Sequence, residues 1–237
     1  MLIAALIPAA ATADETTQTI VLYVLGIGID GQARAGPLEA DIDVSASEVF
    51  DHLEFGAMGS YRWDSDPWSF QLDAMYASLA AEQAGSRELA RATLDLDQTM
   101  IEVDAGYQLT KNLQVLAGAR YWDIETEIAV HGSGPSDIVR RSSGGNSWTD
   151  PLIGLRVVVP IGEHWAFIAR GDVGGFGVGA DVAWHATAFF DWHFGESLSM
   201  VLGYRIFDLE FDEGRGDGRF ELDLQESGPG IGIAYSF

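Results

Sequence analysis

The sequence predicts an all-β fold: a transmembrane antiparallel up-and-down β-barrel, with ten strands as the first count and eight as the alternative. Three observations lead to this prediction. Apolar and polar residues alternate along many segments, tight turns alternate with longer polar loops, and aromatic residues cluster beside the tight turns. A strand of a membrane barrel has one face in lipid and the other toward a lumen, and it therefore requires this alternation.

Composition limits the possible functions. The chain has 237 residues, of which 47% are hydrophobic, and it contains no Cys, which excludes disulfides and thiolate metal sites. No apolar run reaches the roughly 18 residues that a transmembrane helix needs. Lys and Arg number 13 against 36 Asp and Glu, for a net charge of −23. Such a field repels nucleic acid. It favours soluble loops, and it could attract divalent cations to the outer loops.

The first residues predict the end of a secretion signal. Residues 2–7 are apolar, and Ala11-Thr12-Ala13 has the small-x-small form of a signal-peptidase site. Residues 1–13 are therefore interpreted as a signal-peptide remnant and residues 14–237 as the barrel domain. A short N-terminal helix packed on the domain is the alternative.

The first strand is expected over 18–30, and a long polar connection follows from 31 to 53. Within that connection, Ser45-Ala46-Ser47-Glu48 is a capping box, in which Ser45 caps a helix and Glu48 reaches back to the backbone. It predicts a short helix over 46–53 in the first outer loop. This helix either folds over or into the mouth of the barrel or packs on a loop.

The rest of the chain divides into hairpins. Short turns follow the second, fourth, sixth and eighth strands, whereas longer loops, such as the Gly/Ser/Pro-rich stretch 131–147, mostly follow the odd ones. Because such barrels have short periplasmic turns and long outer loops, this parity predicts that both termini are periplasmic. A count of eight would merge or delete a hairpin near the first two strands. The nine later strands are predicted at 55–63, 68–79, 93–109, 113–130, 148–161, 165–173, 182–194, 198–212 and 219–237.

Charged residues lie in the less apolar set of each predicted strand. In the ninth strand, for example, Arg205 alternates with Tyr204 and Ile206. A β-sandwich would place its charges on the outward set instead, so this distribution favours an enclosed polar lumen. These charges either form Arg–carboxylate pairs that block the lumen or form a constriction that selects small solutes. The predicted lumen-lining charges are Glu102, Asp104, Arg120, Arg156, Arg170, Asp172, Asp191 and Arg205.

Aromatic residues provide a separate indication of a membrane barrel. They are predicted to form one interfacial girdle at the level of the tight turns. The last strand also resembles the C-terminal signal that the barrel assembly machinery of the outer membrane recognises, through Gly232, Tyr235 and Phe237. The residues of the predicted girdle are Trp63, Trp68, Tyr107, Trp165, Trp192, Phe194, Tyr235 and Phe237.

The sequence predicts no catalytic residues, no metal site and no cofactor. His185 and His193 share one strand face but lie about 26 Å apart, too far to share a metal ion. His131, with Ser133 and Asp137 nearby, would suit a membrane-embedded hydrolase, but the spacing shows no nucleophile–base–orienter pattern.

Six short blocks are specific as a set, at 28–31, 51–55, 119–123, 150–156, 170–177 and 202–205. Together they resemble small proteobacterial outer-membrane barrel proteins of the porin-like, OmpA and OmpW types. The resemblance covers most of the chain and implies the fold, the outer membrane, and lipid and lipopolysaccharide as surroundings, but it transfers no catalytic residue. The predicted ten strands depart from the eight of those proteins. Three hypotheses follow: a narrow pore for small solutes, a closed structural or interaction barrel acting through acidic outer loops, or, third, the hydrolase.

Overall fold

A computed structural model of the chain describes residues 16–36, 38–84, 89–132, 138–216 and 219–237. The described residues form twelve strands and one helix. The elements are β1 (Thr17–Leu25), β2 (Gly28–Ala35), β3 (Leu38–Val44), α1 (Ala46–His52), β4 (Leu53–Ser65), β5 (Trp68–Ala84), β6 (Leu89–Gln108), β7 (Leu113–Gly132), β8 (Ile138–Ile161), β9 (Trp165–Gly175), β10 (Val182–His193), β11 (Leu198–Glu213) and β12 (Phe220–Ser236).

The strands close into an antiparallel barrel with ten positions around its wall, which confirms the predicted fold class. From β4 to β12 each strand pairs with the next in sequence, and β1 pairs with both β4 and β12. β1 and β2 share the tenth position. β1 pairs with the C-terminal part of β12, and β2 pairs with the N-terminal part of β12. β3 is an additional strand that pairs with β2. No described helix is long and apolar enough to cross a bilayer.

Residues near the tight turns give the barrel an apolar outer belt. We call the end with the connections at 66–67, 109–112, 162–164 and 194–197 the turn end, and the opposite end the loop end. Aromatic rings pair on the outer surface there, with Trp68 and Tyr107 at 5.0 Å and Trp165 and Trp192 at 5.8 Å between centroids. The other outward side chains of this belt include Phe70, Leu72, Val103, Val115, Ile153, Leu155, Phe190, Leu202, Ile231 and Ile233.

The belt has the thickness of a membrane. From Trp68 to Tyr76, β5 rises about 27 Å at ~3.4 Å per residue. A tilt of about 40° reduces this to roughly 20 Å, close to the apolar band of outer-membrane barrels. Tyr76 also marks the upper limit of the belt, because its hydroxyl donates to Asp97 on the next strand. Above this level, acidic side chains appear among the outward residues, such as Asp95 and Glu125.

Toward the loop end, the polarity of the wall inverts, and we call this part the upper tier. On β11 the outward Leu202 and Tyr204 give way to Asp208 and Glu210. The inward set changes in the opposite sense, from Arg205 to residues of a buried core. The upper tier is thus organised like a water-soluble barrel, with acids outside and apolar residues inside. Its core includes Ile29, Ile42, Trp122, Ile124, Trp148, Phe207, Leu209, Phe211, Phe220, Leu222 and Leu224.

Three predicted segments are corrected by the structure. The polar connection 31–53 instead contains the end of β2 and all of β3, because Leu38–Val44 alternates apolar residues with acids and pairs in register with Ile29–Ala35. The predicted loop after 79 is shorter, since β5 extends to Ala84. The polar stretch 142–147 is part of β8 and pairs with β7.

The predicted helix is present as α1, and its capping box has both expected hydrogen bonds. Ser45 accepts from the backbone N–H of Glu48, and the Glu48 carboxylate accepts from the backbone N–H of Ser45. The helix lies against β2 and β5. Its Val49 is buried in the upper-tier core. α1 therefore packs into the mouth of the barrel.

Candidate functional site

A network of ion pairs fills the lumen at the level of the membrane. Arg120 lies at its centre with a side chain that is 1% exposed. Its Nε donates to Glu102 at 2.6 Å and its Nη2 to Asp172 at 2.7 Å. Two carboxylates on different strands, β6 and β9, are thus joined through one guanidinium on β7. The pairs are buried, which makes them costly to break on one side only.

Arg170 extends the network toward the turn end. It donates to Asp104 at 2.9 Å and to Asp172 at 3.1 Å, and it also pairs with Glu102. The network therefore spans β6, β7 and β9 across the lumen. Arg120, Arg170 and Glu102 each have partners on more than one strand, so the side chains of the network fill the lumen at this level instead of only lining its wall.

His185 adjoins this network and gives the site its only described group with metal-ligand geometry. Its Nδ1 lies 3.2 Å from Asp172, and ligand atoms of Glu102, Asp172 and His185 fall within 4.8 Å of one another. The same carboxylates already accept from Arg120 and Arg170, whose positive charges oppose a cation there. His185 Nε2 has no hydrogen-bond partner among the described residues, so no hydroxyl nucleophile is engaged by this His–Asp pair.

An aromatic core closes the lumen above the network. Trp122 is fully buried and lies 4.9 Å from Phe207 and 6.5 Å from Trp148 between ring centroids. Trp148 stacks on Phe211 at 4.0 Å. The guanidinium of Arg120 lies 5.1 Å from the Phe207 ring, a cation–π contact that joins the charged network to the aromatic core.

The upper tier is also narrow. Cα atoms of β2 and of β12 approach those of β8, on the other side of the barrel, within 8 Å. Asp150 on β8 fixes the short connection between β9 and β10. It accepts a hydrogen bond from the Trp148 indole at 2.9 Å and another from the backbone N–H of Ala180 at 2.7 Å. Among the described residues, buried side chains thus fill the interior from the network up through the aromatic core.

Below the network, the lumen contains a cavity of about 380 Å³. Val21, Val158, Ile168 and Val201 form part of its apolar wall. We call it the turn-end cavity, because Thr19 and other residues beside the tight turns line its lower part. Its polar lining includes Arg62, Asp64, Asp73, Glu102, Arg156, Arg170, His185, Asp191, His193 and Arg205.

A second concavity lies outside the barrel, on the upper tier. It encloses about 720 Å³ on the outward face of β6, β7 and β8, and we call it the acidic groove. The backbone and small side chains of 143–147 form one side of it. Five carboxylates on neighbouring strands point to this surface, namely Asp95, Asp97, Asp123, Glu125 and Glu127.

Another upper-tier acid is paired. Arg219 donates to both oxygens of Asp212, at 2.9 and 2.8 Å, at the tip of the β11–β12 hairpin. These hydrogen bonds lower the pKa of Asp212 below its ordinary value.

The predicted lumen charges lie inside the barrel in different surroundings. Glu102, Asp104, Arg120, Arg170 and Asp172 form the network. The three others lie apart from it and line the turn-end cavity. These are Arg156, Asp191 and Arg205.

Sequence reasoning missed several inward polar residues. Arg62 donates to Asp64 and to Gln114, and Tyr23 donates to Asp73 at 2.7 Å. The period-two pattern of β4 and β5 placed Arg62 and Asp73 inward and could have identified them. Glu226 accepts a hydrogen bond from Gln98 at 2.9 Å. On β12 it occupies the same inward face as apolar residues and glycines, which follow the same period-two alternation.

The hydrolase hypothesis lacks a described site. His131 is the second-to-last residue of β7, whereas Ser133 and Asp137 lie outside the described residues, as does the signal-peptide remnant. For the assembly signal, the structure places Tyr235 and Phe237 on the outer surface at the turn end.

No protein-family model and no curated protein matches the sequence. Among solved structures, the chain is similar to the translocator domain of the autotransporter NalP from Neisseria meningitidis, with 13% identity, a TM-score of 0.46, and 96% of this chain and 90% of that chain covered. It is also similar to Ail, the attachment invasion locus protein of Yersinia pestis, with 9% identity, a TM-score of 0.38, and 95% and 100% covered. A Pseudomonas aeruginosa FadL homologue shares 8% identity, with a TM-score of 0.40 and coverage of 94% and 90%.

The physical character of the barrel determines its location. A closed sheet leaves no unpaired edge within its membrane belt, and its apolar outer belt with an aromatic girdle suits a bilayer. The chain is a transmembrane β-barrel.

Proposed function

We propose that the protein is a closed barrel that acts through its acidic upper tier outside the cell, and that it does not form an open pore. The sealed lumen carries this proposal. Arg120 and Trp122, adjacent inward side chains on β7, are 1% and 0% exposed, and the network and aromatic core continue from them. The upper tier then faces outward from the cell, with the turn end and both termini in the periplasm.

Solute permeation tests the closed state. The refolded protein is reconstituted into liposomes, and swelling is followed in small neutral sugars and amino acids. We expect swelling no faster than in protein-free liposomes, whereas an open porin at the same protein-to-lipid ratio gives rapid swelling. Swelling that depends on solute size would contradict the proposal and support a narrow pore. The turn-end cavity is the observation that favours such a pore, because it extends from the turns to Glu102.

The partner proposed for the upper tier is lipopolysaccharide, bridged by divalent cations. Asp95, Asp97 and Glu125 are exposed on adjacent strands of the acidic groove, so they form a fixed array of negative charge. The phosphate groups of lipopolysaccharide are also negative, and cations such as Ca²⁺ can be held between the two sets of oxygens.

Retention of lipopolysaccharide tests this partner. Detergent-solubilised protein is mixed with lipopolysaccharide, and the amount that co-purifies is measured in Ca²⁺ and in EDTA. We expect retention in Ca²⁺ only, and a clear loss in the variant Asp95→Asn/Asp97→Asn/Glu125→Gln. Glu196→Gln, at an exposed turn-end position, serves as the control. Equal retention in EDTA, or by the triple variant, would refute the bridge.

Assembly through the barrel assembly machinery is part of the same proposal. The exposed rings of Tyr235 and Phe237, which lie 5.7 Å apart, support it because a recognition factor can reach them at the turn end. The change Phe237→Ala should lower the fraction of folded, heat-modifiable protein in cells. An unchanged folded fraction would argue against the signal.

A further inference from the structure

Two arginines in the turn-end cavity have no acidic partner. Arg156 makes no hydrogen bond and no ion pair within 4.0 Å among the described residues, although its side chain lines the cavity. Arg205 is 5% exposed, and its one hydrogen bond is to the Met100 sulfur at 3.8 Å. Its Nε has no partner among the described residues. Arg205 is thus a buried cation and Arg156 a half-buried one, each without a carboxylate partner, which is unfavourable and leaves both available for an anion.

The carboxylates around Arg156 are already engaged. Two acids, Asp64 and Asp104, and two arginines, Arg62 and Arg170, act on it electrostatically. Asp64 accepts from Arg62 at 2.7 Å. Asp104 accepts from Arg170 at 2.9 Å. Each nearby acid is therefore paired with another arginine, and the charge of Arg156 is left without a counterion.

The acids around Arg205 accept hydrogen bonds from neutral side chains rather than from another arginine. Asp73 accepts from the Tyr23 hydroxyl at 2.7 Å, and Glu226 accepts from Gln98 at 2.9 Å. Among the described residues, neither forms an ion pair with Arg205 within 4.0 Å, although the charge of Arg205 acts on both electrostatically. A further acid of the cavity is Asp191, whose Oδ2 lies 3.7 Å from Nε2 of His193 near the turns.

The rest of the cavity has an apolar character. Val21, Leu25, Val158, Ile168 and Phe189 line it between the polar groups. A volume of about 380 Å³ is in the lower part of the range of small-molecule sites. The cavity is sealed above by the network and opens toward the tight turns, where Thr19, Ser199 and Ser236 line it.

From these observations, we propose that the turn-end cavity binds a small organic anion that has one acidic group and an apolar body. The acidic group pairs with the guanidinium of Arg156 or Arg205, and the apolar body contacts the wall between them. Charge-assisted hydrogen bonds to guanidinium are strong in a site shielded from water. A ligand that enters from the turn side need not cross the barrel, so binding is compatible with a sealed lumen.

Calorimetric titration of the refolded full-length protein in nonionic micelles tests the proposal. The probes are hexanoate and benzoate, their uncharged amides, hexylamine, and inorganic phosphate. We expect saturable binding of at least one carboxylate and binding of its amide at least about tenfold weaker, because the amide lacks the charge that pairs with arginine. Equal affinity for acid and amide, tighter binding of the amine, or no saturable carboxylate binding would overturn the proposal. Tighter binding of phosphate than of either carboxylate would overturn the assigned apolar body.

Variants locate the binding. At least one of Arg156→Gln and Arg205→Gln, the one that removes the guanidinium paired with the ligand, should weaken carboxylate binding at least about tenfold. Arg156→Lys, which keeps the charge, should retain more affinity than Arg156→Gln and guards against loss by misfolding. Arg141→Gln is the matched control, because that side chain is 57% exposed on the upper tier. Heat-dependent gel mobility confirms folding of each variant, and unchanged binding by Arg156→Gln and Arg205→Gln would refute the site.

Discussion

Loss of the Arg120 guanidinium is expected to destabilise the barrel severely. The side chain is 1% exposed and satisfies Glu102 and Asp172, which are 4% and 0% exposed. Arg120→Gln removes the charge but not the buried carboxylates, and Arg170 then remains to neutralise them with its three contacts. Breaking a buried pair on one side costs about 3–5 kcal/mol, because the remaining charge stays desolvated.

The assay is reversible urea unfolding of the barrel in lipid vesicles, followed by tryptophan fluorescence. Arg141→Gln serves as the control: it breaks the exposed pair with Glu127, and we expect a cost of about 0–1 kcal/mol. A second comparison identifies the cause. The double variant Arg120→Met/Glu102→Met should have a higher free energy of unfolding than Arg120→Met alone. The second change removes a buried carboxylate that would otherwise be left without its main partner. A cost for Arg120→Gln no greater than that for Arg141→Gln would refute the reasoning.

Three further predictions concern the aromatic core, the two tiers and the hairpin tip. Trp122→Ala should cost about 3–5 kcal/mol in the same unfolding assay, because it leaves a cavity in a fully buried core, and a cost below 1 kcal/mol would contradict that core. On the outer face of β11, Leu202→Arg should cost about 2–4 kcal/mol in lipid, whereas Glu210→Arg, above the membrane, should cost no more than about 0.5 kcal/mol; equal costs would contradict the two tiers. In NMR titrations, the pKa of Asp212 should lie below its ordinary value and rise in Arg219→Gln, so the pair is present at neutral pH and is lost as pH falls through that lowered pKa; the same pKa in both proteins would exclude the pairing.

The ten positions of the barrel could be predicted because they depend on local patterns. Period-two alternation and turn residues are visible within about ten residues, as along Leu198–Glu213. The same local pattern placed Arg120 and Glu102 on inward faces. Their partners could not be predicted, because Arg120 and Asp172 are 52 residues apart and meet only through the register and closure of the barrel.

The upper tier was missed although the sequence contains its signal. On β7 the outward set changes from Tyr121 to Asp123 and Glu125, while the inward set becomes Trp122 and Ile124. The prediction treated each strand as having one polarity throughout and assigned the excess acids to loops. Where a strand continues beyond the membrane, the polarity of its two faces must be exchanged. Water then replaces lipid on the outside, and the narrow interior becomes an apolar core.

β3 was missed for a related reason. Glycine and acidic residues in 31–43 suggested a solvated connection, but the acids occupy alternate positions, as on a strand with one exposed face. The edge of β3 away from β2 has no partner strand among the described residues, and the outward acids Glu39, Asp41 and Asp43 disfavour pairing with another chain.

Single-channel recording in a planar bilayer tests the sealed lumen most directly. Folding is first confirmed by the heat-dependent gel shift. We predict no discrete current steps from the folded protein, since the Arg120 network and the Trp122 core fill the lumen. Discrete, salt-dependent steps that change in size when Arg120 or Arg156 is replaced by glutamine would contradict the closed barrel and place these charges at the constriction of a pore.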